Sequence, residues 1–181
     1  YTCSVTSRLA SGSHASVPQP EPWTLSAASL SWPLRLATEP NDSTTAIKRS
    51  RGSELWKPKR YMSKAVKFMI ERGAAGLFLD PGLGKTSITL AALSLLLEQK
   101  LIRGALVIAP LRPAYLTWPA EMGKWADFGH LKYEILHGGH KNKALKRDAH
   151  LYLINPEGLR WLFSTLGSKP DNWPFDVLVI D

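Results

Sequence analysis

The sequence has almost no cysteine, no long apolar run and no signal peptide, and each absence narrows the class of protein. Cys3 is the only cysteine among 181 residues, which excludes a disulfide framework and a cysteine-based zinc site and favours a reducing, intracellular setting. No apolar run approaches the roughly 18 residues of a membrane span, and the start lacks a basic stretch followed by an apolar core. We therefore expect a cytoplasmic protein with no membrane contact.

Length and charge set broader limits. A chain of 181 residues is long enough for one ordinary globular domain and short for two. The net charge of +8 and the isoelectric point near 9.7 are typical of a nucleic-acid binder, although any solvated basic surface gives the same values. Internal repeats are not apparent. Charge alone decides nothing about function.

The first part of the chain differs in composition from the rest. Residues 1–46 are rich in Ser, Thr, Ala and Pro, a composition that predicts disorder. A basic run from Lys48 to Arg60 follows, and it suits either contact with a nucleic-acid backbone or a flexible solvated linker. We divide the chain into a disordered tail with basic linker, residues 1–50, and a domain, residues 51–181.

The most informative stretch runs from Gly76 to Ser87. Gly76 to Leu79 predicts a buried strand, Pro81 to Gly84 a turn, and Thr86 to Gln99 a helix. The predicted helical stripe consists of Ile88, Ala91, Ala92, Leu95 and Leu96. Strand, glycine turn and helix is the context that a phosphate-binding loop requires.

The residue types in this loop have a direct chemical interpretation. Glycine permits positive φ and close approach of backbone N–H groups to an anion, and the helix N-terminus adds partial positive charge. Lys85 is expected to reach the β- and γ-phosphates, and the Thr86 hydroxyl to ligate magnesium. Leu79 stands where the strict phosphate-loop pattern has glycine. The predicted nucleotide-binding residues are Pro81, Gly82, Leu83, Gly84, Lys85, Thr86 and Ser87.

Strand and helix patterns alternate along the rest of the domain. Further strands are predicted at Ala105–Ala109, Tyr133–Leu136, Leu151–Ile154 and Phe175–Ile180, and helices at 61–72, 119–125, 141–147 and 159–166. This alternation predicts an α/β fold with a parallel sheet and ligands at the carboxyl ends of its strands.

Two histidines and a basic cluster lie between the third and fourth of these strands. His137 and His140 flank two glycines, but zinc sites need three or four ligands, so we interpret the stretch as a glycine-rich loop. Lys141, Lys143, Lys146 and Arg147 follow, as a phosphate-contacting surface or as ordinary solvated charge.

Taken together, these motifs resemble a superfamily 2 helicase of the Swi/Snf branch, in its compact phage and bacterial forms. The resemblance covers residues from about 55 to 181. Its motifs are Asp80 to Thr86, Ala109-Pro110-Leu111 through Trp118, the Trp118–Trp125 pair, and Val177 to Asp181. A relaxed first position in the phosphate loop is normal for that superfamily, which accounts for Leu79.

The resemblance implies a function for specific residues. It implies a RecA-like phosphate-loop NTPase domain that uses ATP and magnesium, with Lys85 and Asp181 as catalytic residues and with Thr86 and Asp181 holding the magnesium. It implies a motor that hydrolyses ATP to move on nucleic acid, DNA more than RNA, in a bacterial or phage-infected cell. Met62 stands where the family usually has an adenine-reading glutamine, which leaves adenine selectivity open.

The resemblance also implies that the chain is an N-terminal fragment of the first lobe. The glutamate that follows the motif II aspartate in the family is absent after Asp181, as is the second lobe with its arginine finger. We expect the fragment alone to bind nucleotide weakly and barely turn over.

Two alternatives stay open: a nucleotide-dependent adaptor or clamp without motor activity, and a nucleotide kinase or GTPase of the same broad fold. The Asn-Lys-x-Asp motif of a GTPase does not occur. Oligomeric state, and unwinding as opposed to translocation alone, are left open.

Overall fold

The computed structural model describes residues 3–7, 54–167 and 169–181. Within residues 1–46, for which the composition predicts disorder, Cys3–Ser7 forms a strand. A single apolar residue, Val5, lies among Ser and Thr there, so no strand pattern was visible in the sequence. The rest of the predicted tail, and the basic residues from Lys48 to Arg51, lie outside the described residues.

The described ranges contain strands that alternate with helices from residue 60 onward. The strands are β1 (Cys3–Ser7), β2 (Ala74–Leu77), β3 (Ala105–Ile108), β4 (Tyr133–Ile135), β5 (Leu151–Ile154) and β6 (Val177–Ile180). The helices are α1 (Arg60–Arg72), α2 (Lys85–Glu98), α3 (Trp118–Lys124), α4 (Lys141–Leu145) and α5 (Leu159–Leu166). A π-helical turn covers Pro113–Thr117, and 3₁₀ turns cover Ala126–Phe128, Gly138–His140, Pro156–Gly158 and Pro170–Asn172.

The strands form one sheet in the order β2-β1-β6-β3-β5-β4. The four strands β6, β3, β5 and β4 pair in parallel, which confirms the predicted α/β parallel sheet. β1 pairs antiparallel with both β2 and β6, so β2 runs in the same direction as the four parallel strands. The phosphate-loop segment and the residues after β3, β4, β5 and β6 therefore lie along one edge of the sheet, as the strand pattern predicted.

Helices cover both faces of the sheet. One core cluster unites apolar residues of α1, α2 and α3 with one face of the strands, including Ile70, Ile88, Trp118 and Val107. The second joins α4 and α5 to the other face, with Leu162 among its buried residues. Strand side chains alternate between the two clusters because successive residues of a strand point to opposite faces.

Helix α2 is buried around most of its circumference, which the sequence did not predict. Beyond the predicted stripe, Thr89, Leu90 and Leu93 are fully buried. The reason is position, because α2 packs on the sheet and contacts α1 and α3. A helix enclosed in this way is apolar all round rather than along one stripe.

Predicted and observed boundaries agree to within a few residues. The predicted helix 61–72 begins at Arg60 and ends at Arg72, and the φ of +66° at the following Gly73 fits the expected glycine stop. The predicted strand from Phe175 begins two residues later, at Val177. None of the helices within the described ranges has the length and apolarity needed to cross a membrane.

We expect the folding stability to change with pH because of His150, which lies just before β5. Its Nδ1 accepts the backbone N–H of Lys132 at 3.0 Å, and burial, with smaller contributions from His130 and Lys132, lowers its pKa below the ordinary 6.5. The unfolded chain therefore binds the proton more readily, so this stabilisation is complete above pH 6.5 and is lost as the pH falls through the lowered pKa.

Thermal unfolding between pH 7.5 and 5 measures this effect. His150→Gln should have a flatter pH profile than the wild type. Parallel profiles for the wild type and His150→Gln would contradict the assignment.

Candidate functional site

The loop between β2 and α2 has the backbone that glycine requires. Gly82 has a φ of +83° and Gly84 a φ of +72°, both in the left-handed region. The Leu83 N–H donates to the Asp80 carbonyl at 3.3 Å and closes the turn. Gly84 is also the residue from which α2 begins. The predicted glycine turn is thus present, and both left-handed positions fall on glycine.

The first turn of α2 directs unpaired backbone donors at this loop. The first backbone hydrogen bond of the helix joins the Ile88 N–H to the Gly84 carbonyl at 2.9 Å. The preceding N–H groups of Lys85, Thr86 and Ser87 have no carbonyl within the helix to bond. No acidic side chain lies in this turn. The helix end is therefore a suitable site for an anion.

Lys85 folds back over the loop. Its ammonium donates to the Leu79 carbonyl at 2.7 Å and to the Asp80 carbonyl at 3.1 Å. These carbonyls precede the glycine turn, so the ammonium lies beside the volume that the loop encloses. A phosphate in the loop offers stronger, charged acceptors than these neutral carbonyls.

Thr86 and Ser87 differ in how they face the loop. Thr86 is half-buried, and its hydroxyl makes no hydrogen bond within the described ranges. Ser87 is buried, and its hydroxyl donates to the Gly84 carbonyl at 2.9 Å. Thr86 therefore offers its side chain to a ligand, and Ser87 only its backbone N–H.

The first turn of α1 packs against the phosphate loop. The Tyr61 hydroxyl donates to the Leu83 carbonyl at 3.1 Å. A Cβ at Gly84 would lie 2.6 Å from Cε of Met62 and 2.9 Å from Oγ of Ser87. Met62, where the resemblance implies a glutamine, is thus in contact with the loop itself.

Because Met62 packs so closely on Gly84, a side chain at this position should harm both folding and ATP binding. Gly84→Ala should destabilise the fold by about 1–2 kcal/mol, since a left-handed alanine is strained and its methyl displaces Met62. ATP affinity should fall as well, because the displaced groups line the loop. Gly82→Ala is the matched control: φ is similar, but nothing lies within 4 Å of its Cβ. Thermal unfolding and ATP titration of both variants measure the difference, and equal effects would contradict a role for the Met62 contact.

Asp181 lies directly after β6 at the same edge of the sheet. Its backbone N–H donates to the Ile108 carbonyl at 2.9 Å, which extends the β3–β6 ladder by one residue. Its carboxylate accepts the indole N–H of Trp118 at 2.9 Å. Trp118 is fully buried at the start of α3, so the carboxylate is held by a fixed donor. The sequence pattern gave no sign of this contact, because Trp118 and Asp181 are 63 residues apart.

Thr86 and Asp181, the predicted magnesium ligands, follow β2 and β6 respectively. β1 separates these strands, so their axes lie about 10 Å apart. A hydroxyl and a carboxylate are hard oxygen donors, the kind that magnesium takes together with waters and substrate phosphate. The donor types therefore fit magnesium.

Exposed apolar and aromatic side chains follow β3 at the same edge. Leu111, Tyr115 and Leu116 have exposed fractions of 39%, 47% and 59%. The Tyr115 hydroxyl lies 3.1 Å from Nδ1 of His137, and the two rings meet edge-on. This contact joins the turn after β3 to the glycine-rich loop after β4. Sequence pattern gave no sign of it, because the partners are 22 residues apart.

The four basic residues of the predicted cluster, Lys141, Lys143, Lys146 and Arg147, differ in their contacts. The Lys141 ammonium lies 4.6 Å from the centroid of the Trp161 ring, and Arg147 pairs with Glu134 at 3.1 Å. Lys143 and Lys146 are exposed and form no ion pair among the described residues. These two lysines are the members of the cluster best placed to contact a phosphate backbone.

Comparison with known proteins gives three findings. The SNF2-related domain matches residues 61–164, more than half of the chain. Protein p41 of Acyrthosiphon pisum secondary endosymbiont phage 1 is 33% identical over 128 residues, which cover 68% of this chain and 27% of the phage protein. The Sulfolobus solfataricus SWI2/SNF2 ATPase core, solved in complex with dsDNA, superposes with a TM-score of 0.53 at 24% identity, covering 69% of this chain and 26% of that one.

The Sulfolobus structure resembles this chain in fold. The SNF2-related domain matches the sequence of the residues that form the phosphate loop. The matched residues 61–164 include the phosphate loop, Lys85 and the α1 turn that packs on it. The chain spans about a quarter of the length of each of these two relatives. The chain belongs to the SNF2-related domain family.

Proposed function

We propose that this chain is the first ATP-binding, RecA-like lobe of an ATP-dependent DNA translocase or helicase. The observation that carries the proposal is the loop at Gly82–Ser87, where two left-handed glycines, a helix N-terminus and the Lys85 ammonium converge. Membership of the SNF2-related family adds the reaction class, hydrolysis of ATP. The structure with dsDNA of the Sulfolobus protein supports DNA as the partner.

In this proposal each group at the loop has one task. Backbone N–H groups of Lys85, Thr86 and Ser87 donate to phosphate oxygens. The Lys85 ammonium exchanges the Leu79 and Asp80 carbonyls for the β- and γ-phosphates, where it offsets negative charge as water attacks.

Thr86 and Asp181 would hold magnesium, and Trp118 would keep the Asp181 carboxylate oriented. When bound, the metal neutralises phosphate charge and orients the triphosphate.

We further propose that the isolated chain binds ATP but hydrolyses it slowly. Both relatives are about four times longer, and SNF2-type turnover, on the family resemblance, needs an arginine from a second lobe. A supplied arginine accelerates related phosphoryl transfers by about 10³- to 10⁵-fold. Titration with a fluorescent ATP analogue, and phosphate release with and without duplex DNA, test both points. Absence of ATP binding would contradict the proposal. ATP binding that does not respond to DNA in a longer version of the chain would favour the nucleotide-dependent adaptor without motor activity.

The DNA contact is proposed for the edge that carries the turn after β3 and the loop after β4. We expect the double variant Lys143→Ala, Lys146→Ala to bind duplex DNA with a shallower dependence of log affinity on log salt. The slope should lose about two units of steepness, nearly one for each phosphate that the variant no longer neutralises. The control is Lys64→Ala with Lys67→Ala on α1, on the opposite face of the sheet from α4; it changes the charge equally. Fluorescence anisotropy from 50 to about 200 mM salt measures both slopes. Equal slopes in all three proteins would assign Lys143 and Lys146 to solvent.

A further inference from the structure

Asp127, in the turn after α3, is a buried carboxyl that is only half satisfied. It is 7% exposed. Its Oδ2 accepts the backbone N–H of Trp56, while Oδ1 has no hydrogen-bond partner within the described parts of the chain. A buried polar atom without a partner is unfavourable. Packing alone therefore does not explain an aspartate at this position.

The same turn makes further contacts with the segment that precedes α1. The Ala126 N–H donates to the Glu54 carbonyl at 3.0 Å, beside a parallel bridge between Glu54 and Trp125. The Trp56 side chain is buried, with its ring centroid 5.6 Å from that of Phe128. Main-chain and ring contacts thus fix this segment to the turn, and Asp127 adds a side-chain hydrogen bond to them.

Only a few residues separate this anchor from the first turn of α1, which packs on the phosphate loop. Pro58 restricts the backbone between Trp56 and the first turn of α1. That turn presents Tyr61, whose hydroxyl donates to Leu83 in the loop, and Met62, which contacts Gly84. A shift of Trp56 therefore moves the two side chains that pack on the loop.

We propose that Asp127 is a positioning residue for the nucleotide site. By fixing the backbone of Trp56 it holds the first turn of α1 against the phosphate loop, so that the loop keeps its ATP-binding shape. Asp127 touches neither loop nor nucleotide and acts through Tyr61 and Met62. The inference rests on the proposed ATP binding and adds a second determinant of affinity, remote in sequence from the loop.

ATP affinity and thermal stability of the 181-residue chain, measured side by side, test this role. Asp127→Leu should weaken binding of a fluorescent ATP analogue by about tenfold, the scale of one buried hydrogen bond. Asp127→Asn should keep most of the wild-type affinity, because the carbonyl oxygen of the asparagine still accepts the Trp56 N–H.

The matched control is Asp176→Leu. Asp176 likewise accepts a backbone N–H, that of Arg103 at 2.7 Å, but it lies at the opposite, amino-terminal edge of the sheet. Its replacement should lower the Tm and leave the Kd for ATP unchanged. If both leucine variants lost ATP affinity in proportion to their loss of Tm, Asp127 would have only a structural role and the inference would be overturned.

Tyr61→Phe keeps the test decisive if Asp127→Leu does not fold. It removes only the Tyr61–Leu83 hydrogen bond and should weaken ATP binding several-fold with little change in Tm. Where Asp127→Leu does fold, the losses in the double variant should be less than additive. An unchanged Kd in Tyr61→Phe, or full additivity, overturns the inference. Wild-type chain that binds no ATP overturns the proposed function and this inference with it, whereas wild-type binding with an unchanged Kd in Asp127→Leu overturns this inference alone.

Discussion

On the proposed function, replacing Lys85 by alanine should remove DNA-stimulated ATP hydrolysis from a longer version of the chain. The Lys85 ammonium is the one charged donor that the described structure places against the loop, 2.7 Å from the Leu79 carbonyl and 3.1 Å from that of Asp80. Loss of a single preorganised donor to developing charge slows a reaction by about 10²- to 10³-fold. We expect kcat to fall by at least that factor, with weaker ATP binding. The Tm should change little, because the hydrogen bond to Asp80 is exposed and that to Leu79 is only partly buried.

Lys67→Ala is the matched control for this variant. Lys67 lies on the exposed side of α1 and pairs with Glu71 at 3.6 Å, so its replacement removes the same charge and a similar surface interaction. Steady-state hydrolysis and ATP titration of the two variants separate a local effect from a general one. Turnover of Lys85→Ala at the wild-type rate would refute the phosphate-loop assignment.

The phosphate loop could be predicted from the sequence because its determinants are local. Gly82 and Gly84 adopt the left-handed conformation that only glycine takes readily. The apolar runs of β3 and β5 could be predicted in the same way, since strands buried on both faces have few polar residues. The sequence therefore predicted these local features, although the strand expected at Gly76 to Leu79 lies two residues earlier, at Ala74–Leu77.

What joins the loop to the rest of the site was not predictable, because it depends on contacts across the chain. Tyr61 and Leu83 are 22 residues apart, and Trp118 and Asp181 are 63 apart. Trp56 and Asp127 are 71 apart. Trp118 is fully buried, and its indole N–H also donates to a carboxylate. An apolar stripe reports which face of a helix is buried and not which polar atom of a buried side chain finds a partner.

Asp181→Asn should abolish most of the effect of magnesium on ATP binding. Asparagine keeps a side-chain carbonyl that accepts the Trp118 indole N–H, so the contact at 2.9 Å is retained while the negative charge is removed. If Asp181 and Thr86 hold the metal, the gain in ATP affinity that magnesium gives the wild type should shrink by about tenfold or more in this variant, on the scale of one charged interaction. Affinity in the absence of magnesium should stay close to wild type, since Lys85 and the α2 N-terminus are untouched.

Trp118→Phe separates the charge of Asp181 from its orientation. Phenylalanine fills much of the buried indole site but cannot donate, so the carboxylate stays charged and loses its fixed donor. We expect a smaller loss of magnesium response than in Asp181→Asn, together with a lower Tm, because Trp118 is fully buried and a smaller ring leaves unfilled volume. ATP titrations over a magnesium series, beside thermal unfolding, distinguish the two variants. A wild-type magnesium response in Asp181→Asn would show that the metal, if used, is held elsewhere, and a loss in Trp118→Phe alone would assign the effect to packing of α3 rather than to the carboxylate.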